Sequence, residues 1–241
     1  PTACARWVTN RLHLRRQVKD PELRRKLTPD FTIGCKRMLL SNDWLRTLDR
    51  ADVSLVDSGL VSVTENGVVD GSGVEHKVDT IIFATGFTPT EPPVAHLITG
   101  KRGETLAAHW NGSPNAYKGT AVSGFPNLFL MYGPNTNLGH SSIVYMLESQ
   151  AEYVNDALNT MKRERIDALD VNETVQVHYN KGIQHELQHT VWNKGGCSSW
   201  YIDPEGRNSV QWPTFTFKFR SLLEHFDREN YSARKIESVE A

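Results

Sequence analysis

Lys77-Val78-Asp79-Thr80-Ile81-Ile82-Phe83-Ala84-Thr85-Gly86-Phe87 decides how the rest of the chain is read. Its charged, alternating start gives way to an unbroken β-branched and aromatic run, Thr80 to Phe83, the composition of a strand buried on both faces of a parallel sheet. Ala84 and Thr85 are small, and Gly86 lets the backbone turn sharply or approach a ligand, as crevices at the carboxyl ends of such strands require. A second stretch is built the same way. Leu128 to Tyr132 predicts another fully buried strand, Gly133-Pro134-Asn135 breaks it into a loop, and a helix runs from about Ser141 to Arg163. Its apolar positions Ile143, Leu147, Val154, Leu158 and Met161 recur at helical spacing and are expected to face the core. Strand, small-residue loop and helix N-terminus in that order make an electropositive pocket, because unpaired backbone N–H groups converge there with the positive end of the helix dipole.

At 241 residues, 39% hydrophobic and 23% charged, the chain has the composition of a globular protein with a sizeable core. Its 27 basic residues balance 28 acidic ones, which gives nucleic acid no overall electrostatic reason to bind. No apolar run approaches the roughly 20 residues that cross a bilayer and the opening is no secretory signal, so the expected setting is the reducing cytoplasm. Cys4, Cys35 and Cys197 are odd in number and far apart, suggesting neither a disulfide framework nor a clustered metal site. In that setting the sequons at Asn111, Asn172 and Asn230 carry no meaning.

Outward from the two strands, residues 1–28 read as basic helices, with Asp20-Pro21-Glu22 starting the second. Phe31 to Leu40 places Lys36 and Arg37 between two apolar runs, at a turn or strand end. A helix over Asn42 to Arg50, capped by Ser41 or Asn42, precedes short strands at Val53–Val56 and Leu60–Val63. Asn66-Gly67 and Asp70-Gly71-Ser72-Gly73 fold the following residues into a β-meander. Gly71-x-Gly73 is followed by His76 where a dinucleotide fingerprint needs glycine, and no G-x-G-x-x-G exists in the chain. Tyr117 to Ser123 reads as a strand, Asn172 to Val191 as a helix ended by Gly195-Gly196, and Ser198–Ile202 with Ser209–Trp212 as strands joined by Asp203-Pro204-Glu205-Gly206. Thr214 to Arg220 fits helix or strand, and the polar tail from Asp227 is expected to fray.

A strand ending D-T-I-I-F-A-T-G-F, followed by G-F-P-N-L-F-L-M-Y-G-P-N-T-N-L-G-H and later by G-G-C-S-S-W-Y and G-R-N-S-V-Q-W-P, resembles the second half of flavin-containing monooxygenases. The nearest group is the Baeyer–Villiger enzymes of the 4-hydroxyacetophenone monooxygenase type. The resemblance implies an α/β, Rossmann-like two-dinucleotide-binding flavoprotein, of which this chain is the C-terminal portion. It divides the chain into a helical segment (1–33), the end of an NADP-binding domain (34–87), the second part of an FAD-binding domain (88–226) and a polar tail (227–241). It further implies FAD and NADP(H) as cofactors, and O2 with a ketone or a nitrogen or sulfur compound as substrates. Ala84, Thr85, Gly86 and Phe87 match the crossover that lines the cleft between flavin and nicotinamide. Asn135, Asn137, Leu138, His140 and Ser141 match the segment facing the flavin pyrimidine edge, where a helix N-terminus supplies fixed positive potential. Arg37 matches the catalytic arginine that stabilises negative charge developing during oxygen transfer, a task suited to a permanently charged guanidinium. Lys36 matches a group on the NADP phosphate or ribose, and Trp200 a tryptophan near NADP or substrate, while Trp192 and Trp212 read as core.

Two other readings compete. His185-Glu186-Leu187-Gln188-His189 fits H-E-x-x-H, a zinc-peptidase pattern, though no third ligand follows at a suitable spacing. A non-catalytic interaction module derived from a flavoprotein is the other. Relative to the family pattern the chain lacks both glycine fingerprints, the motif between them and the acidic partner of the arginine. The 241 residues alone are therefore expected to hold FAD weakly or not at all, and to need the missing N-terminal half for turnover. Flavin absorbance and NADPH oxidation by the isolated polypeptide test this, and normal values for both would refute it.

Overall fold

Asp20 caps a helix as its sequence context requires: its carboxylate accepts from the Glu22 amide at 2.9 Å, and Pro21 occupies the first turn, where a missing N–H costs nothing. The computed structural model describes residues 11–86, 88–139, 141–197 and 199–235, and these fall into two units. The first comprises Pro1–Ile33 and Met38–Gly86, the second Gly34–Arg37 and Phe87–Ala241.

In the first unit, helix α1 (11–17) and helix α2 (Pro21–Lys26) are joined by a linker whose polar groups are satisfied locally. Asp49 accepts from the Lys19 and Asp20 amides, and Arg24 donates to the Val18 and Lys19 carbonyls at 3.0 and 3.1 Å. Leu14 and Val18 are buried beneath them. Helix α3 (Trp44–Leu48) has Asp43 at its N-cap, not the expected Ser41 or Asn42; the Ser41 hydroxyl, just ahead of it, accepts from the Asp43 and Trp44 amides at 3.2 and 3.0 Å. Strands β1 (Leu60–Val63), β2 (Gly67–Asp70) and β3 (Glu75–Lys77) form the expected antiparallel meander. Gly67 is obligatory there, since a Cβ would lie 2.0 Å from the His76 carbonyl oxygen. Asp70 organises the second turn, pairing with His76 at 2.8 Å and accepting from the Ser72 hydroxyl and the Ser72 and Val74 amides. Those bonds, His76 foremost, hold its carboxyl well below the usual carboxylate range.

Two expected strands are absent from this unit. Val53–Val56 is irregular, and Thr80–Phe83 forms no strand among the described residues, with Ile82 84% and Phe83 74% exposed. A strand buried on both faces needs a ladder on either side, and among the described residues the meander strands pair only with one another.

The second unit is built on helix α5 (Ile143–Glu164). It buries Met146, Gln150, Tyr153, Ala157 and Thr160, a face offset from the predicted one: Ile143 and Met161 pack against the core as expected, but Leu158 is 52% exposed. The offset arises because the inner face carries polar side chains that a hydrophobicity pattern does not count. Helix α4 (Leu106–Trp110), helix α6 (Glu173–Leu187), helix α7 (Val191–Lys194) and helix α8 (Thr216–Leu222) complete the helical set. The helix expected to run to Val191 thus breaks after Leu187, where Thr190 turns back to the Leu187 carbonyl through its amide and its hydroxyl. One core cluster joins α5, α6 and α8, and a smaller one centres on Leu106, Trp110, Val122 and Phe125.

The tail is ordered over its described part, Asp227 to Lys235. Tyr231–Lys235 forms strand β5, antiparallel to strand β4 (Ile166–Val171), while 236–241 lie outside the described residues. Tyr117–Ser123 is a turn instead of a strand, with Lys118 and Gly119 at positive φ, a Tyr117–Ala121 bridge that closes it and an Ala121–Phe129 bridge that leaves it. Leu128–Tyr132 makes one bridge, through Phe129, and is not fully buried: Leu128, Phe129 and Leu130 are partly buried, and Met131 and Tyr132 are each 48% exposed. The Asp203–Gly206 turn closes as expected, but its flanks form one Ile202–Asn208 bridge and not full strands.

That Lys118 turn carries a buried ion pair. The Lys118 ammonium lies 3.1 Å from Asp227 Oδ1 and 4.7 Å from the Tyr153 ring centre. Tyr117, Tyr153 and Asn230 all donate to the same carboxylate. Burial lowers the pKa of Lys118, opposed by Asp227; burial raises that of Asp227, but the hydrogen bonds and Lys118 bring it out below normal. Asp227→Ala leaves a buried charge uncompensated and is expected to cost about 3–5 kcal/mol in chemical denaturation, much of it recovered by pairing Asp227→Asn with Lys118→Met. A loss no larger than that of a surface pair, about 1 kcal/mol, would contradict a structural role for the cluster.

Candidate functional site

Two backbones touch where the 117–121 turn passes the loop after Tyr132. A Cβ on Gly133 would sit 2.3 Å from the Gly119 carbonyl oxygen, and one on Gly119, at φ +63°, would sit 2.2 Å from Thr136 Cγ2. Gln150 of α5, fully buried, ties the two together: its Nε2 donates to the Gly119 and Leu130 carbonyls and the Thr120 hydroxyl, and its Oε1 accepts from the Tyr132 amide at 2.9 Å. The loop is thereby pinned before it begins.

Its continuation is stitched to 208–212. The Asn135 amide donates to the Ser209 carbonyl at 3.0 Å, the Asn137 amide to Val210 at 3.0 Å, and Trp212 donates back to the Asn137 carbonyl at 2.8 Å. Asn135, in the left-handed region at φ +58°, also donates through Nδ2 to the Asn208 and Gln211 carbonyls. Several polar side-chain atoms here are buried without a partner: Asn135 Oδ1, Asn137 Nδ2, Ser209 Oγ and both carboxamide atoms of Gln211. Buried polar atoms are ordinarily satisfied, so a group of five on two neighbouring segments is the chemical signature of this site.

Arg37 reaches the same loop from 101 residues away, donating through Nη2 to the Leu138 carbonyl at 3.0 Å. The preceding residue but one, Cys35, is disulfide-bonded to Cys197, which corrects the expectation of unpaired cysteines. Beside the loop lies a cavity of about 470 Å³, within the range of small-molecule sites, walled by Leu106, Trp110, Met131, Tyr132, Asn137 and Trp200 among others. Tyr132 donates to Asn137 Oδ1 at 2.5 Å. Burial pushes its phenol pKa up, partly opposed by the Arg37 charge, so the guanidinium is electrostatically linked to the cavity wall.

Arg37, Asn135, Asn137, Leu138 and Trp200 are thus gathered in the second unit, Asn135, Asn137 and Leu138 buried and Trp200 47% exposed. Lys36 and Ser141 are exposed. Ala84, Thr85 and Gly86 lie exposed in the first unit, and Phe87 and His140 fall outside the described residues. Trp212 is buried, and Trp192 packs against the main core and against Gly139. His185 and Glu186 are exposed near the end of α6, His189 lies beyond it, and among the described residues no group of three His, Cys, Asp or Glu could hold a metal. None of the helices described is long and apolar enough to cross a membrane. Sequence reading missed Gln150, Tyr132, Ser209 and Gln211; only the polar Asn208-Ser209-x-Gln211 before Trp212 offered a signal for the last two.

Comparison with known proteins gives the context. No protein-family model matches the chain. A Baeyer–Villiger monooxygenase of Pseudomonas aeruginosa is 50% identical over 220 residues, which is 91% of this chain and 42% of that protein. The chain is a relative of the Baeyer–Villiger monooxygenases. An FAD-binding monooxygenase of Emericella nidulans, stcW, is 33% identical over 215 residues, 89% of this chain and 35% of its own length. The crystal structure of cyclohexanone monooxygenase from Rhodococcus sp. Phi1 bound to NADP+ superimposes with a TM-score of 0.83 at 25% identity, over 97% of this chain and 45% of that one. This monooxygenase relative therefore spans less than half the length of the proteins it matches.

In it, the Gly119–Gly133 crossing sets the position of everything from Asn135 to Leu138. Gly133→Ala is expected to destabilise the protein by about 1–3 kcal/mol through overpacking and to raise hydrogen exchange at the Asn135 and Asn137 amides. Unchanged exchange there would show that the crossing does not hold the loop.

Proposed function

We propose that this chain forms part of an FAD- and NADPH-dependent monooxygenase that inserts one oxygen atom of O2 into a ketone, in the Baeyer–Villiger manner, or oxidises nitrogen or sulfur. The single observation carrying the reading is Arg37, held on the Leu138 carbonyl at the end of a loop whose buried carboxamides each keep one unpartnered atom. The relatives' names and the NADP+ of the cyclohexanone monooxygenase structure support the cofactor pair.

The donor set fits a flavin in kind. The pyrimidine edge of that ring presents two carbonyl acceptors flanking one N–H donor, and the unpartnered atoms here include donors, Asn137 Nδ2 and Gln211 Nε2, and acceptors, Asn135 Oδ1 and Gln211 Oε1. FAD, when bound, supplies the electron and oxygen chemistry. The chain's own residues do the rest in this reading. Asn135, Asn137 and Gln211 orient the ring edge, the apolar wall of Leu106, Trp110 and Met131 excludes water from the substrate, and Tyr132 keeps its phenolic proton on Asn137 Oδ1. Arg37 provides a fixed positive charge where oxygen transfer builds negative charge, and costs no reorganisation because the Leu138 carbonyl already holds it. Lys36 and Trp200 are assigned to NADP(H), and Ala84 to Phe87 to the passage between its domain and that of the flavin. His140 and Ser141 are assigned to the flavin side on the resemblance alone.

The exposed apolar runs Met38–Leu40 and Ile82–Phe83 fit the same picture. In this proposal they are sheet strands whose neighbours come from the portion of the enzyme corresponding to the unmatched length of the relatives. With that portion and FAD present, Arg37→Ala is expected to lower oxygenated product formation by about 10²–10³-fold while flavin stays bound, and Arg37→Lys by less. Wild-type oxygenation by Arg37→Ala would remove the proposal's central residue.

A further inference from the structure

Only four residues of the chain's first third, Gly34–Arg37, belong to the second unit; Ile33 before them and Met38 after them belong to the first. Two ties to distant parts of the unit bear on this short segment. One is the hydrogen bond of the exposed Arg37 to the Leu138 carbonyl. The other is the bond between Cys35 and Cys197, 162 residues apart with Cα atoms 6.2 Å from each other, inside the range a disulfide spans. The surroundings are shaped to it: Gly195 lies so close that a Cβ would meet Cys35 Cβ at 2.6 Å, and Gly34 takes φ +94° to bring the segment in. The two sulfurs differ in access, since Cys35 is fully buried whereas Cys197 is partly exposed.

We propose that Cys35 and Cys197 are a reversible redox couple that positions Arg37. Oxidised, the couple clamps the segment so that the guanidinium stays on Leu138; reduced, the segment loses its covalent tie to Cys197, and Arg37 departs from the site. The chemistry is thiol–disulfide exchange. A low-mass thiolate attacks the accessible Cys197 sulfur, the Cys35–Cys197 bond breaks, and Cys35 leaves as thiolate and takes up a proton. A second thiolate attacks the external sulfur of the mixed disulfide and frees Cys197. Two external thiols have then become one disulfide, and two electrons and two protons have passed to the cysteines. The reverse exchange restores the clamp. Cys35 and Cys197 act here through Arg37, as positioning residues; the consequence for oxygenation rests on the function proposed above, but the clamp does not.

The purified protein, incubated with oxidised or with reduced dithiothreitol, tests it. Alkylation followed by intact mass should count one free thiol after oxidation and three after reduction. Trypsin must draw several residues around Arg37 into its cleft, so cleavage after Lys36 or Arg37 should be at least tenfold faster in the reduced protein, with cleavage at Lys162 and Arg163 of α5 unchanged. Cys197→Ser and, separately, Cys35→Ser should show the fast rate under both conditions. Three free thiols after oxidation, or one cleavage rate in both states, would overturn the clamp. A switch in cleavage with oxygenation by the flavin-loaded enzyme unaltered would support the clamp and count against the catalytic reading of Arg37.

Discussion

The contact between Gly119 and Gly133 is the constraint on which the site depends. Neither position tolerates a Cβ, because each faces backbone or a β-branched side chain closer than any carbon could be accepted. Glycine at both places lets the 117–121 turn and the 133–138 loop share one small volume, and Gln150 then spends both ends of its carboxamide on holding them there. Everything downstream inherits that position: the pairing of Asn135 and Asn137 with 209–212, the direction of the Leu138 carbonyl, and through it the place of Arg37.

The second unit is unusual in how much polarity it buries at this point. Asn135, Thr136, Asn137, Asn208, Ser209 and Gln211 are all nearly inaccessible. Their backbone groups are used for cross-segment pairing, so the loop is rigid without belonging to a sheet. Rigidity of that kind suits orientation of a ligand, because the ordering cost is met in folding and not again at binding. The Lys118–Asp227 cluster does comparable work on the far side of the 117–121 turn, where Tyr117, Tyr153 and Asn230 share the cost of a buried charge pair.

Where local reading and structure part, the reason is consistent. Thr80–Phe83 has the composition of a buried strand, yet burial of a strand is a property of its neighbours, and none pairs with it among the described residues. The face of α5 is legible only in part, through Ile143 and Met161, because Gln150 and Ser149 are buried and hydrogen-bonded, which no count of apolar residues registers. Polarity hid the tail as well, since β5 earns its place by backbone pairing with β4 and by Tyr231 packing into the core.

From its residues alone this protein declares its turns, its caps and its chemistry-bearing loops. Pro21 after Asp20, Asn66-Gly67, Asp203 to Gly206 and the glycine exits around Gly86 and Gly133 act within a few residues, through restrictions on φ and through near-neighbour hydrogen bonds. The motifs around Arg37, Asn135 and Trp200 were likewise legible as a family resemblance. Tertiary structure decided which distant atoms meet: Arg37 with Leu138, Cys35 with Cys197, Gln150 with two loops, Lys118 with Asp227. Such pairings span tens to more than a hundred residues, and at those separations the partner is chosen by the packed shape of the whole unit, which no local pattern encodes.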